Sequence, residues 1–348
     1  MVFGVAAVAV TYPLGVQLFR RRFPALVAAA LLAGMTAHVL YSQEARVYSL
    51  QLLLAILSAH YFFKSYWERR VSPAFLVSTT LLTYSHSFAS WYFIAAQAVY
   101  VLVAWLVWRD GEAFRKGFVS QLLVLVLWLP LVGAFVYSRF AREIVVPTFW
   151  ATAPEGLPGP MDLLELYQSL AVRSWAGAAF MTLLILLGLG ILRRSAGFAP
   201  RPRLAPGAAA PSDGPPTGAA VVFLLAWVSV PVLFSLAVTV GTSLDTFPET
   251  RYHLAVLPGL CLLAAAGAAR VTSRAGAVAV AALVLLLPAS QLPRYYRDFT
   301  RVAYDQAASV IATHRAPGEL IFVGGGFRTL AYYYRGSFPR IGSPEWDR

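Results

Sequence analysis

The stretch Tyr41-Ser42-Gln43-Glu44-Ala45-Arg46-Val47-Tyr48 decides how the chain is read. It puts a carboxylate, a guanidinium, a primary amide and two phenols within eight residues. Apolar runs lie on either side, roughly Phe23 to Leu40 and Val47 to Phe63. An ionised group at a bilayer centre costs about 2.5–3.5 kcal/mol on insertion scales, so charge set beside hydrocarbon is usually kept for function. A helix through the stretch would place Glu44 and Tyr48 on one face, four residues apart, with Arg46 projecting elsewhere. The simpler alternative is a membrane-edge loop whose Glu44 and Arg46 pair with each other.

Composition sets the surroundings of this stretch. Hydrophobic residues make up 59% of the 348-residue chain and charged residues only 13%, against about 25% charged in a soluble domain. The mean hydropathy is +0.65. These values describe a polytopic membrane protein built from packed helices. The net charge of +12 does not indicate nucleic acid, because the basic residues sit in short clusters between apolar spans, as membrane orientation requires. Cys261 is the single cysteine and lies in an apolar run, which excludes a disulfide framework and a cysteine metal site.

Taking about 20 apolar residues per crossing, ten spans are expected: roughly 3–18, 23–40, 47–63, 73–89, 91–108, 117–137, 175–192, 219–240, 253–269 and 275–290. One set of alternate loops holds Arg20 to Arg22, Lys64, Arg69, Arg70, Arg109, Arg115, Lys116, Arg193, Arg194, Arg201, Arg203, Arg270 and Arg274. The other set holds Arg46, Arg139, Arg142, Arg173 and Arg251. Fifteen basic residues against five place the first set in the cytoplasm and Glu44 and Arg46 on the extracytoplasmic side. The N-terminus then lies outside. Met1 to Leu18 is apolar with no basic region before it, a poor signal peptide, so the chain is expected to begin partway through a larger fold.

Three connecting regions differ in kind. Residues 193–218, rich in Pro, Ala and Gly, read as a disordered cytoplasmic loop. In the outer loop, Met161 to Arg173 carries Leu163, Leu164, Tyr167, Leu170 and Ala171 at helical spacing, which predicts an amphipathic helix at the membrane interface. Residues 293–348 form a second segment, expected to be a small extracytoplasmic α/β tail. Its parts are a helix over Phe299 to His314, a turn at Ala316-Pro317-Gly318, a strand over Glu319 to Val323 and then Gly324-Gly325-Gly326. That glycine run lacks the lysine and hydroxyl of a phosphate loop.

Further polar groups fall at the depth and side of the opening stretch: His38, His86 in Tyr84-Ser85-His86-Ser87-Phe88, Asp245 and Glu249, and Arg251-Tyr252-His253 before Pro258-Gly259. Together they suggest a site for an anionic lipid head. Arginine suits phosphate because its planar fork donates two parallel hydrogen bonds and stays charged. Neighbouring carboxylates can order sugar hydroxyls or act as a base. No metal-ligand spacing is present, although an oxygen-rich site is compatible with a hard divalent cation.

These residues also carry a resemblance. His38-Val39-Leu40-Tyr41-Ser42-Gln43-Glu44-Ala45-Arg46-Val47-Tyr48 resembles the H-x-x-Y-S-Q-E-A-R-x-Y segment of bacterial GT-C superfamily membrane glycosyltransferases, similar to protein O-mannosyltransferases and to the aminoarabinose transferase acting on lipid A. Tyr84-Ser85-His86 resembles that family's Y-[ST]-H. Arg251-Tyr252-His253-Leu254 with Pro258-Gly259 resembles its R-Y-x-L-x-x-x-P-G. The resemblance implies transfer of a sugar from a polyprenyl-phosphate carrier to a glycan, lipid or protein acceptor at the extracytoplasmic face of the cell membrane, with no nucleotide and no required cofactor. Arg251 would neutralise the departing lipid phosphate. Glu44 and Arg46 would shape the sugar–phosphate pocket, Tyr48 and Tyr252 would offer hydroxyls, and His86 and His38 would line it, with Gln43, Asp245 and Glu249 nearby. The family's catalytic Asp lies in the first outer loop, which would fall upstream of Met1, so no residue here matches it. A flippase for a lipid-linked sugar and a catalytically incomplete relative stay open as rivals.

Overall fold

The structure is a computed structural model. It describes residues 1–44, 46–141, 158–171, 174–194, 217–241, 247, 249–298 and 304–314. The chain divides into two compact units, Met1–Pro293 and Arg294–Arg348.

Among the described residues every regular element is helical. Hydrocarbon offers no hydrogen bonds, and a helix satisfies its own backbone. The helices are α1 (Val2–Phe19), α2 (Arg22–Gly34), α3 (Thr36–Gln43), α4 (Tyr48–Trp67), α5 (Pro73–Ser85), α6 (Ser87–Trp108), α7 (Gly111–Ala141), α8 (Pro160–Leu170), α9 (Trp175–Arg194), α10 (Thr217–Gly241), a 3-10 helix (Thr250–Val256), α11 (Leu257–Ala268), α12 (Arg274–Asp298) and α13 (Tyr304–His314).

Among the described residues six helical segments are long and apolar enough to cross a membrane: Val2–Phe19, Ser90–Trp108, Gly111–Ala134, Gly218–Gly241, Thr250–Ala268 (the 3-10 helix with α11) and Arg274–Pro293. The count rises to eight if each of two bent pairs is one span, α2 with α3 (bent by 57°) and α8 with α9 (bent by 91°). This is the fold of a multi-pass membrane protein. The sequence reading of ten spans differs from this count at α4 and α5. Thirteen residues of α5 rise only about 20 Å, short of the roughly 30 Å hydrocarbon core. Helix α4 has 20 residues but carries Ser49, Gln51, Ser58, His60, Lys64 and Ser65.

Helix α4 tolerates those groups because it lies at the centre of the bundle. Most of its residues are buried, and it packs on α1, α5, α7 and the 3-10 helix. Phe62, Phe63, Tyr66 and Trp67 of α4 meet Tyr100 of α6 and Phe223 of α10 in one aromatic cluster, and the Trp67 indole donates to the Tyr100 hydroxyl at 2.9 Å. Beside it runs a buried polar ladder through four helices. Gln121 Nε2 of α7 donates to Gln97 Oε1 of α6 (3.2 Å), Gln97 Nε2 donates to Ser58 Oγ of α4 (2.9 Å), and Ser58 meets Thr79 Oγ1 of α5 (2.7 Å). Helices α9 and α11 approach more closely still, since a Cβ on Gly267 would collide with the carbonyl of Leu184.

The bundle has two different ends. At one, Arg21 Nη1 donates to the Ala269 carbonyl at 2.9 Å, tying the α1–α2 turn to the close of α11. At the same end Arg69 forks onto Asp110 Oδ2 through Nε (3.1 Å) and Nη2 (2.8 Å), tying the α4–α5 turn to the α6–α7 turn. Asp110 also accepts from the Ala113 backbone N–H at 3.0 Å and so caps α7. Arg20, Arg69 and Arg109 follow the ends of α1, α4 and α6 with φ of 55°, 54° and 55°, a left-handed conformation that costs an L-residue about 1–2 kcal/mol. The other end holds Glu44, Arg46, His86 and Arg251.

In the second unit the described residues include α13, which lies within the expected helix over Phe299 to His314. Residues 299–303, the expected strand over Glu319 to Val323 and the glycine run lie outside the described residues, as do 195–216 of the expected cytoplasmic loop.

Candidate functional site

The opening stretch is not one helix. Helix α3 ends at Gln43, and Glu44 follows with φ −73° and ψ 136°, an extended conformation. Helix α4 starts afresh at Tyr48. The continuous helix that would have put Glu44 and Tyr48 on one face therefore does not form. The short α3 and the long α4 meet here instead, with Glu44 and Arg46 between them.

The break brings aromatic rings together from separate elements. Tyr41 on α3 stands edge-on to Tyr48 on α4, with ring centroids 5.0 Å apart. Tyr48 faces His86 at 6.1 Å, and His86 meets Tyr252 edge-on at 5.9 Å. The Arg251 guanidinium carbon lies 5.1 Å from the centroid of the Tyr252 ring, within cation–π range. Four elements thus contribute one strip of rings ending in a cation.

Each contributor is fixed locally. His86 sits between α5 and α6 with φ −157° and ψ 90°. Ser90 Oγ donates there to the Leu82 carbonyl (2.7 Å) and the His86 carbonyl (2.6 Å). Arg251 and Tyr252 ride on the 3-10 helix, whose tighter winding precedes Pro258 near the start of α11. Trp227 donates to the Ala255 carbonyl at 2.7 Å, and Gly259 lets that indole pack flat against α11, since a Cβ there would lie 3.0 Å from it.

The charges lie along the strip. Arg251 Nε is 3.4 Å from Glu249 Oε2, with both side chains part-exposed at 37% and 45%. That nitrogen has no aligned hydrogen-bond partner, so the pair is a loose one of the kind worth about 0–1 kcal/mol. The charge of Arg251 reaches Tyr41 and Tyr48, Arg46 and His86. A hydrogen bond to Tyr48 pushes the Arg46 guanidinium above its ordinary pKa, and Glu44 adds to this. Burial holds His86 below the usual imidazole value, and Arg251 lowers it further, so the ring is neutral at pH 7.

Of the residues expected from the sequence, Glu44, Arg46, Tyr48, His86, Glu249, Arg251 and Tyr252 share this end of the bundle. Gln43 closes α3 beside them, half-buried. His38 turns to α1, where its Nε2 lies 3.3 Å from the Gly4 carbonyl. His253 is fully buried, with Nδ1 2.9 Å from the Glu249 carbonyl and its ring against Phe247. Asp245 lies outside the described residues. Tyr41 had not been assigned to the site, although the pair of phenols in the opening stretch was a signal for it. Among the described residues no group of three or more His, Cys, Asp or Glu side chains gathers to hold a metal ion.

The arrangement offers a guanidinium with unused donors, a second one nearby, and a shelf of rings between them. It fits an anionic group bound beside a flat or hydroxylated one. No family model matches the chain, and searches of curated proteins and of solved structures found no match either.

Proposed function

We propose that the chain is a glycosyltransferase that takes a sugar from a polyprenyl-phosphate donor and passes it to an acceptor at the extracytoplasmic face of the cell membrane. The observation that carries this reading is the loose Arg251–Glu249 pair at the end of the strip Tyr41–Tyr48–His86–Tyr252. Arg251 keeps donors for a phosphate, and those donors gain strength as charge builds on the departing phosphate. Arg46, fixed by Tyr48, sets the field on the far side. Glu44 and Glu249 accept from sugar hydroxyls, and the rings of Tyr48, neutral His86 and Tyr252 line the sugar. The acid–base residue is not assigned.

The topology proposed with this reading has ten crossings and an extracytoplasmic α/β tail. Helices α4 and α5 cross as protein-lined segments, which is how a membrane protein keeps polar helices away from lipid. The loops with Arg21, Arg69 and Arg109 then face the cytoplasm, and the ring strip faces outward.

The test is loss of label from a radiolabelled polyprenyl-phosphate sugar incubated with full-length protein in vesicles and a crude acceptor fraction. Wild type should consume the donor and Arg251→Ala should not. Equal consumption by both would remove Arg251 from the mechanism. Movement of the intact donor across the bilayer, with no sugar released, would favour a flippase.

A further inference from the structure

Helix α8 is a short element with two unlike arcs, and it abuts the 3-10 helix that carries Arg251. It meets α9 at 91°. Asp162 accepts from the Gly159 backbone N–H at 2.6 Å and caps its start. Leu166 and Leu170 are buried against the bundle. The Tyr167 hydroxyl lies 3.2 Å from the Ala178 carbonyl and 2.9 Å from Thr182 Oγ1, so that side chain points along α9, down the direction of the span.

Tyr167 therefore gives the helix an orientation. At about 100° per residue, Leu163 and Leu164 lie within about 60° of Tyr167 around the helix axis. Both are exposed, at 48% and 39%. Trp175, which opens α9, is 56% exposed. Asp162 and Glu165 lie on the opposite arc, about 140° and 160° from Tyr167 by the same winding. The exposed leucines thus lie on the arc of α8 that Tyr167 turns along the span, and the carboxylates lie on the opposite arc; α9 itself also exposes Leu183, Leu186 and Leu187. This is the distribution of a helix lying along a bilayer interface, with an indole at the boundary. The carboxylates of α8 suit the aqueous side of that boundary and do not call for an anionic lipid.

A side-chain hydrogen bond joins this helix to the site. Ser169 Oγ lies 2.9 Å from Thr250 Oγ1, and Thr250 precedes Arg251. We propose that α8 is seated in the acyl–headgroup boundary through Leu163, Leu164 and Trp175, and that the Ser169–Thr250 bond makes it a positioning element that holds the Arg251 turn at headgroup depth. The partner is the hydrocarbon edge of the bilayer. This goes beyond the catalytic proposal and holds or fails without it, since any lipid-phosphate site would use the same device.

The experiment places a nitroxide at Leu163→Cys, Leu164→Cys or Glu165→Cys in the full chain reconstituted in phosphatidylcholine vesicles. Native Cys261 is buried and stays unlabelled. Oxygen and a water-soluble nickel chelate then compete to relax each label. Labels at 163 and 164 should favour oxygen, and the label at 165 should favour nickel. Nickel at all three would put α8 in water and overturn the proposal. Protection from both reagents at 163 and 164 would mean a protein partner and would also overturn it. The coupling is read by hydrogen exchange, with no activity required. Ser169→Ala should speed exchange of the 250–256 amides while the labelling pattern of α8 persists, and Ser169→Thr should restore protection. Unchanged exchange at 250–256 in Ser169→Ala would remove the positioning role.

Discussion

Arg69 at one end of the bundle and Arg251 at the other are used in opposite ways. At the first end Arg21 and Arg69 close turns, while Arg109 lies exposed over the Trp105 ring, 5.6 Å from its centroid. Arg69 and Asp110 are each only 10% exposed at the side chain and meet in a fork, and Arg21 satisfies a helix-terminal carbonyl. At the other end Arg251 stands over the Tyr252 ring and pairs loosely with Glu249, and Arg46 bonds to Tyr48. A fork that uses up its donors holds the fold together and has little left for a ligand. A cation kept part-exposed beside aromatic rings adds little to stability and keeps its donors available. The contrast teaches that pairing, more than charge, separates structural arginines from candidate binding ones.

The sharpest way to break this comparison is at Asp110. Asp110→Ala should lower unfolding free energy by about 2–4 kcal/mol, somewhat under the usual effect of stranding one member of a buried pair because Glu112 stays 3.9 Å from Arg69 Nη1, read by thermal or denaturant unfolding in detergent. Replacing both partners, as Arg69→Met with Asp110→Leu, should recover much of that loss. A drop no larger than that of a surface substitution would erase the distinction between the ends.

Arg251→Ala should do the reverse. Donor consumption should fall about 10²–10³-fold, the usual loss when one donor to a developing charge is removed, while the unfolding midpoint stays at the wild-type value. A variant that unfolds early would make Arg251 structural and collapse the contrast.

The polar ladder sits apart from both charged clusters and gives a calibration. Gln97→Leu cuts two hydrogen bonds and should cost about 1–2 kcal/mol, at an average of about 0.6 kcal/mol for each interhelical bond in a membrane. Differential scanning fluorimetry suffices, and the result should fall between the other two effects.

The smallest effect is at His86. Its folded pKa is below the unfolded value of about 6.5, so the folded state resists the proton that the unfolded chain takes up. The stability gained from this is complete above about pH 6.5 and is lost as pH falls below it. Wild type should therefore lose more in melting temperature than His86→Gln between pH 7 and pH 5. In Arg251→Ala the acid sensitivity should shrink, because one of the groups opposing protonation is gone. Parallel profiles for wild type and His86→Gln would show that the imidazole does not titrate as its surroundings require.

Much of this was legible in the chain because hydropathy and charge are local. The loops holding Arg21, Arg69 and Arg270 were assigned to one side by counting, and Arg21 does reach the close of α11 while Arg69 reaches Asp110. Glu44, Arg46, His86 and Arg251 were set at one depth from their positions between apolar runs, and the structure groups them. The bend at Met35 was not legible. It is a change to ψ 124° inside an apolar run, and hydropathy does not register a backbone dihedral. The helix break at Glu44 was missed in the same way, and it decides which rings meet. Asp110 was overlooked because its role comes from a partner 41 residues away. Gln97 and Gln121 had a usable signal, since an amide inside an apolar span demands a partner.

The left-handed residues at positions 20, 69 and 109 have a further consequence. Glycine would adopt that backbone without the steric penalty, so Arg20 and Arg109 can each be replaced with a gain in stability, whereas at 69 the same change would strand Asp110. Arginine persists at all three against its own backbone preference, and what offsets the strain must come from the side chain. At 69 that contribution is the fork onto Asp110; at 20 and 109, under the orientation proposed above, it is made during biosynthesis. Each guanidinium anchors its hairpin on the cytoplasmic side as the helices enter the bilayer. Swapping Arg20 and Arg109 for glycine, with Arg69 kept, should give a protein that is harder to unfold once assembled and more often inserted upside down.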